Sequence, residues 1–133
     1  MGRMSYKDLE IYKLTHKLAV EVHKTTPECL PKYEMYEEGS QIRRSSKGIS
    51  SAIVEGFGRK QYQQEFMRYV SFAIASCDET REHLDLLYES GSLADQTLYN
   101  DLFQRYAELG KMLYGFRQAI ENNLKSHSLE PVP

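Results

Sequence analysis

The chain has 133 residues, 41% of them hydrophobic and 27% charged, with a formal net charge of −2. That length fits one domain of about 100–150 residues. The near-neutral charge excludes a generic basic coat for nucleic acid, and no run approaches the roughly 18 apolar residues of a membrane span. Cys29 and Cys77 have no paired spacing, which points to a reducing compartment and away from a disulfide framework or a thiolate metal site. The first residues lack the apolar stretch of a signal peptide, so a cytoplasmic protein is expected.

Apolar spacing predicts helices throughout. The first covers 6–25: Ile11, Tyr12, Thr15, Leu18, Ala19 and Val22 share one arc at 100° per residue, and "TTPECLP" closes it. The second covers 40–57, with Gly56 and Gly58 available to end it. The third covers 61–90, where Phe66, Val70, Ala73, Cys77, Thr80, Leu84 and Leu87 recur at alternating steps of four and three. Gly91 is a natural residue to follow a helix end, and Ser92 with Asp95 offers a cap for the next. The fourth covers 93–123 along Leu98, Leu102, Tyr106, Leu109, Leu113, Phe116 and Ile120, and 124–133 is expected to be a loose tail. No strand-like alternation and no internal repeat is present. Helices three and four are each roughly 45 Å long at 1.5 Å per residue, and a tight turn joins them. The expected fold is therefore all-α, an antiparallel up-down-up-down four-helix bundle in a single domain.

Helix two, "SQIRRSSKGISSAIVEGF", is unusual in being built from residues that disfavour helices. Serine and glycine each cost a few tenths to about 1 kcal/mol relative to alanine. The segment must be held by packing. Ile42, Ser45, Ser46, Ile49, Ala52, Ile53 and Gly56 share one arc of about 120°. Small side chains on that arc let another backbone come close.

Arg43, Arg44 and Lys47 fall on the opposite side of the wheel, and Arg59, Lys60 and Arg68 follow in the turn and the start of helix three. From Gln41 to Arg68 six basic residues stand against two acidic, whereas from Asp78 to Glu108 two basic stand against eight acidic. A near-neutral whole can thus present a basic face. Those six cations are the candidate nucleic-acid-binding residues, since arginine's planar fork suits phosphate and Tyr62 and Tyr69 offer rings for base stacking. The competing reading is a solvated or salt-bridged face, with the arginines pairing the acidic stripe of another subunit.

Catalytic patterns are missing. A di-iron bundle needs Glu-x-x-His on two helices, but Lys13, Val20, Thr80 and Leu124 precede His16, His23, His83 and His127. Glu79 and His83 sit one turn apart as half a site at most, and Asp78, Glu82, Asp85 and Glu89 read as a solvated stripe. Neither cysteine has a histidine nearby in sequence, and Cys77 reads as a small core residue. "GFGRKQ" lacks the third glycine and the preceding strand of a dinucleotide loop. No catalytic residue, metal, cofactor, small-molecule substrate or membrane partner is expected. His16, His23, Leu9 and Val20 form a second stripe on helix one, and Met67, Ile74 and Tyr88 form one on helix three. That is more apolar surface than one small bundle needs, so self-association is expected.

"YKDLEIYKLTHKLAVEVH", "LPKYEMYEEGSQIRRSSKGISSAIVEGFGR" and "EFMRYVSFAIASCDETREHL" resemble the bacterial four-helix-bundle proteins encoded in 23S rRNA intervening sequences. The similarity spans roughly 6–122 and is most specific in "SQIRR" through "EGFGR", although this chain lacks the proline that family members usually carry near Ser50 or Ser51. The resemblance implies a homo-oligomer, a pentamer, without enzymatic activity. It also implies distant kinship with the accessory protein of diversity-generating retroelements, a pentameric bundle that binds nucleic acid and a reverse transcriptase. Arg43, Arg44 and Arg59 match the family motif as a binding or assembly surface.

Overall fold

The computed structural model describes residues 4–129. Four helices, α1 (Glu10–Cys29), α2 (Glu38–Phe57), α3 (Gln63–Glu89) and α4 (Gln96–Leu129), carry almost all of them, with short 3-10 turns at Tyr6–Asp8 and Lys32–Met35. No strand occurs among the described residues.

Contacts across the helices fix their directions. Between α2 and α3, Glu38 meets His83, Ser45 meets Thr80, and Gly56 lies against Tyr69, so one number rises as the other falls. Between α3 and α4 the same holds for Asp85 with Tyr99, Cys77 with Tyr106, and Phe66 with Phe116. Thr26 joins α1 to Arg43 of α2, and Glu21 of α1 pairs with Arg105 of α4. Each helix touches its chain neighbours, α1 closes the ring on α4, and among the described residues neither diagonal pair brings its backbones within 8 Å between Cα atoms. This is the antiparallel four-helix bundle that the apolar spacing predicts.

The core forms along the predicted seams. Leu18 and Val22 of α1, Ile49 and Ile53 of α2, Val70 and Leu84 of α3, and Leu109 and Leu113 of α4 are all sealed from solvent in one cluster. Burying each such side chain contributes about 1.5–3 kcal/mol.

The composition of α2 now has a physical cause. A Cβ on Gly56 would stand 2.8 Å from the Tyr69 Cβ, and one on Gly39 would stand 2.3 Å from the Glu34 carbonyl oxygen. Both contacts are too close for any side chain, so each glycine marks a place where α2 is pressed against a neighbour. Ser45 and Ser46 are buried too, and neither wastes its hydroxyl. Ser46 donates to the Arg43 carbonyl at 3.0 Å, while Ser45 accepts from Thr80 at 2.8 Å. Buried hydroxyls of this kind need such partners.

Several expected boundaries move. α1 runs through Pro27 to Cys29 instead of ending at 25. Proline's fixed φ suits a helix, and in the last turns its missing donor costs only one bond. Buried Thr26, which donates to the Val22 carbonyl at 2.7 Å, and buried Leu30 hold this end in place. Ser92 does not cap α4: it bonds the Tyr33 hydroxyl at 2.9 Å, and Asp95 caps instead, accepting from the Leu98 backbone at 3.0 Å. The expected loose tail is helical as far as Leu129, because half-buried Leu124 extends the seam one turn beyond Ile120 and no proline or glycine interrupts it. Residues 130–133 lie outside the described residues.

The second apolar stripes are largely absorbed into the bundle. Leu9 and Ile74 are buried, Met67 packs on the core, and Tyr88 stacks on Tyr99 with centroids 3.9 Å apart. Val20 alone stays open, with exposed His16 and His23 beside it.

Candidate nucleic-acid interface

The six sequence-nominated cations do not form one face. Arg43, expected to look outward, turns inward and is half-buried. Its Nη1 donates to Thr26 Oγ1 at 3.1 Å and its Nη2 to the Met35 carbonyl at 2.7 Å. A wheel places Arg43 on the polar side of α2 but cannot show that the Lys32–Met35 turn folds back over that side. Its fork therefore clamps the α1–α2 connection. Lys47 lies on the α1 flank of α2, rimming a hollow of about 420 Å³ floored by Ala19 and Val20. Arg44 lies on the α3 flank, beside Gly48 and Ser76.

Arg59, Lys60 and Arg68 are brought together where α2 turns into α3, about 20 Å from Arg44 along the helix axis. Each sits over an aromatic ring. The Arg59 guanidinium lies 4.6 Å from the Tyr69 centroid, the Lys60 ammonium 4.2 Å from Phe57, and the Arg68 guanidinium 5.4 Å from Phe72. The rings themselves are fastened: Phe57 meets Phe66 edge-on at 6.4 Å, and Tyr69 meets Phe72 at 5.4 Å. All three cations remain exposed. Arg59 also donates to the Glu55 carbonyl at 2.9 Å, and Arg68 stands 3.6 Å from Glu65. An exposed i,i+3 pair of this kind contributes little and exchanges readily for another anion.

Sequence reasoning named Tyr62 and Tyr69 but missed Phe57 and Phe72 as partners of the cations. The signal was present: Arg68 and Phe72 stand four apart on α3 and so share a face. Tyr62 is 62% exposed and Phe72 44%.

Acidic groups gather at the opposite end. His83 is held between Glu38 Oε2 at 2.6 Å and Glu79 Oε1 at 3.4 Å, which ties α2 to α3. The Glu79–His83 pair thus serves as part of a structural bridge, and among the described residues no group of three or more His, Cys, Asp or Glu could hold a metal ion. Burial raises the Glu34 carboxyl above its usual range, with Glu38 and Glu37 adding to the effect. Asp85, predicted as part of a solvated stripe, accepts from the Tyr99 hydroxyl at 2.8 Å. That bond, with burial and the Asp85 charge behind it, pushes the Tyr99 phenol up to about 12. Cys77 lies in the core, where desolvation pushes its thiol up to about 11, the wrong direction for a nucleophile. No helix of the described residues is long and apolar enough to cross a membrane.

The fold matches a protein of unknown function from the S23 ribosomal protein family of Bacteroides thetaiotaomicron VPI-5482, solved at 1.70 Å, with a TM-score of 0.73 and 19% identity over 81% of this chain and 95% of that one. At that identity the likeness concerns the fold alone. No curated protein matches the chain. The family model of the 23S rRNA-intervening sequence protein matches residues 7–115. A match over that much of the sequence, on a bundle of four helices with its glycine-pinned α2, means that the chain belongs to the 23S rRNA-intervening sequence protein family.

Proposed function

We propose that this protein is a non-enzymatic, cytoplasmic helical bundle that binds RNA or DNA through the α2–α3 turn. Arg59, Lys60 and Arg68 make the principal contacts, and Arg44 and Lys47 add to them from the flanks of α2. One observation carries the reading: three exposed cations crowd one end of the bundle, each seated on a ring. A guanidinium already oriented by a ring loses less freedom when it meets a phosphate, and Arg59 and Arg68, both exposed, each use only one nitrogen on the Glu55 carbonyl and on Glu65. Arg43 is left out of the contact set because its donors are engaged inside the fold. The test is the affinity for a labelled nucleic acid as a function of salt. Four or five phosphate contacts give a slope of log affinity against log salt of about −3.5 to −4.5 on a duplex and about −3 to −3.5 on a single strand. No binding, or an affinity indifferent to salt, contradicts the proposal.

A second reading is supported by the hollow between α1 and α2. Val20 is 37% exposed there, flanked by His16, His23, Lys24 and Lys47, an apolar floor with a polar rim. Such a surface suits contact with another copy of the chain. Self-association through this hollow and nucleic-acid binding at the α2–α3 turn use different faces, with Lys47 common to both. The pentamer that the family resemblance implies is tested by the mass in solution, and a monomer at micromolar concentration contradicts it.

A further inference from the structure

We infer that the α2–α3 turn accepts single-stranded rather than duplex nucleic acid, stacking unpaired bases on Tyr62 and Phe72. The inference rests on the nucleic-acid reading above and specifies the ligand of that same site.

The rings of the cluster differ in exposure: the inner rings, Phe57 and Tyr69, are half-buried, whereas the outer rings, Tyr62 and Phe72, are exposed. Phe57 and Tyr69 each lie beneath a cation and touch a neighbouring ring. Tyr62, at the residue that caps α3, is 62% exposed, and among the described residues its ring meets no other ring and its hydroxyl has no partner. Phe72 is 44% exposed, with one edge against Tyr69 and the Arg68 guanidinium 5.4 Å from its centroid. At 100° per residue, positions 69 and 72 fall within about 60° of one another on α3, and Tyr62 caps its start, so the three rings form a strip spread over about 15 Å along the axis. Arg59 and Arg68 sit within this strip.

Stacking rings interleaved with cations are the arrangement by which proteins hold single strands: the rings take the bases and the cations take the backbone. A duplex has its base faces already stacked against one another, so it presents only phosphates to the cations and leaves both outer rings in water. The surroundings of the rings also favour nucleic acid over a protein partner. Gln61, Gln64, Glu65 and Arg68 around them are exposed and polar or charged, whereas the centre of a protein contact is depleted of charge.

The test uses the full chain, which has no tryptophan, so Tyr62→Trp introduces a lone reporter at the stacking position. It is titrated at low salt with a mixed-sequence single strand and with a blunt duplex of the same length. The expected result is quenching of the tryptophan by the single strand and not by the duplex. Tyr62→Ala and Phe72→Ala should each weaken single-strand binding by roughly 5- to 100-fold while leaving duplex affinity and the far-ultraviolet circular dichroism unchanged. Equal affinity for both forms, with a silent tryptophan and indifferent alanine variants, overturns the stacking inference and leaves the electrostatic reading standing. Binding of neither form overturns both.

Discussion

The Arg43 guanidinium donates to the Met35 carbonyl at 2.7 Å, across eight residues of chain, and joins the second turn of α2 to the 3-10 turn that precedes the helix. The same fork reaches Thr26 near the end of α1 at 3.1 Å, so one side chain fastens three segments. Hydrogen bonds from a charged donor contribute more than neutral ones, and buried Thr26 loses this partner when it is removed, whereas the exposed Met35 carbonyl can turn to water. Arg43→Ala should therefore destabilise the protein by about 1–3 kcal/mol in urea unfolding. Arg44→Ala, next along the helix but exposed, should stay within about 0.5 kcal/mol. Equal and small effects would mean that the clamp contributes nothing.

Gly56 offers a second test, because two effects there have opposite signs. Alanine gains about 1 kcal/mol of helix propensity over glycine. Its Cβ would stand 2.8 Å from the Tyr69 Cβ and 3.3 Å from a Phe66 ring carbon. Both neighbours are anchored, Tyr69 under Arg59 and Phe66 between Phe57 and Phe116. Overpacking of this kind costs about 1–3 kcal/mol, so Gly56→Ala should be net destabilising in thermal unfolding. A rise in melting temperature would show that α3 can move away freely.

Much of the fold was legible because buried positions recur at helical spacing. Every residue of the α2 arc, from Ile42 to Gly56, is buried. The α3 seam from Phe66 to Leu87 is buried throughout as well. The basic site was less legible. A wheel gives the direction in which a side chain leaves its helix, but not which other segment crosses that direction. Arg43 was misplaced because Lys32–Met35 returns over α2, a contact between segments that no single-helix pattern contains. The aromatic seats of Lys60 and Arg59 were missed for the same reason: Phe57 and Tyr69 are brought to them by the turn and by the packing of α3 on α2. Arg68 with Phe72 was the readable exception, since both lie on one helix.

The two thiols should differ in native reactivity. Desolvation raises Cys77 to about 11, and Cys29 is raised in the same direction by weaker burial. The thiolate is the reactive species, so Cys77 should resist alkylation at pH 8 until the protein unfolds, whereas half-exposed Cys29 should react slowly in the folded state. Peptide mapping after a timed iodoacetamide treatment separates them, and early labelling of Cys77 would contradict its place in the core.

The Tyr99–Asp85 bond predicts a stability change at high pH. The bond requires the phenol proton, and the folded value of about 12 lies above the ordinary 10. A raised value means that the contribution is complete below pH 10 and is lost as the pH climbs from 10 to about 12. Tyr99→Phe lacks the bond at every pH. The stability difference between wild type and Tyr99→Phe should therefore be constant below pH 10 and shrink above it, and a difference that grows with pH would reverse the assignment.

Charge reversal at the two ends of α2 tests the central claim most directly. Arg59→Glu with Lys60→Glu removes two exposed cations and adds two negative charges at the proposed contact, while Arg44→Glu alters the far flank and Arg43→Glu breaks the internal clamp. The account predicts that the Arg59/Lys60 double variant loses nucleic-acid binding by tenfold or more, as expected for about two phosphate contacts, with its fold and oligomeric mass unchanged. Retention of full affinity by that double variant, or loss of the oligomer in place of loss of binding, would contradict it.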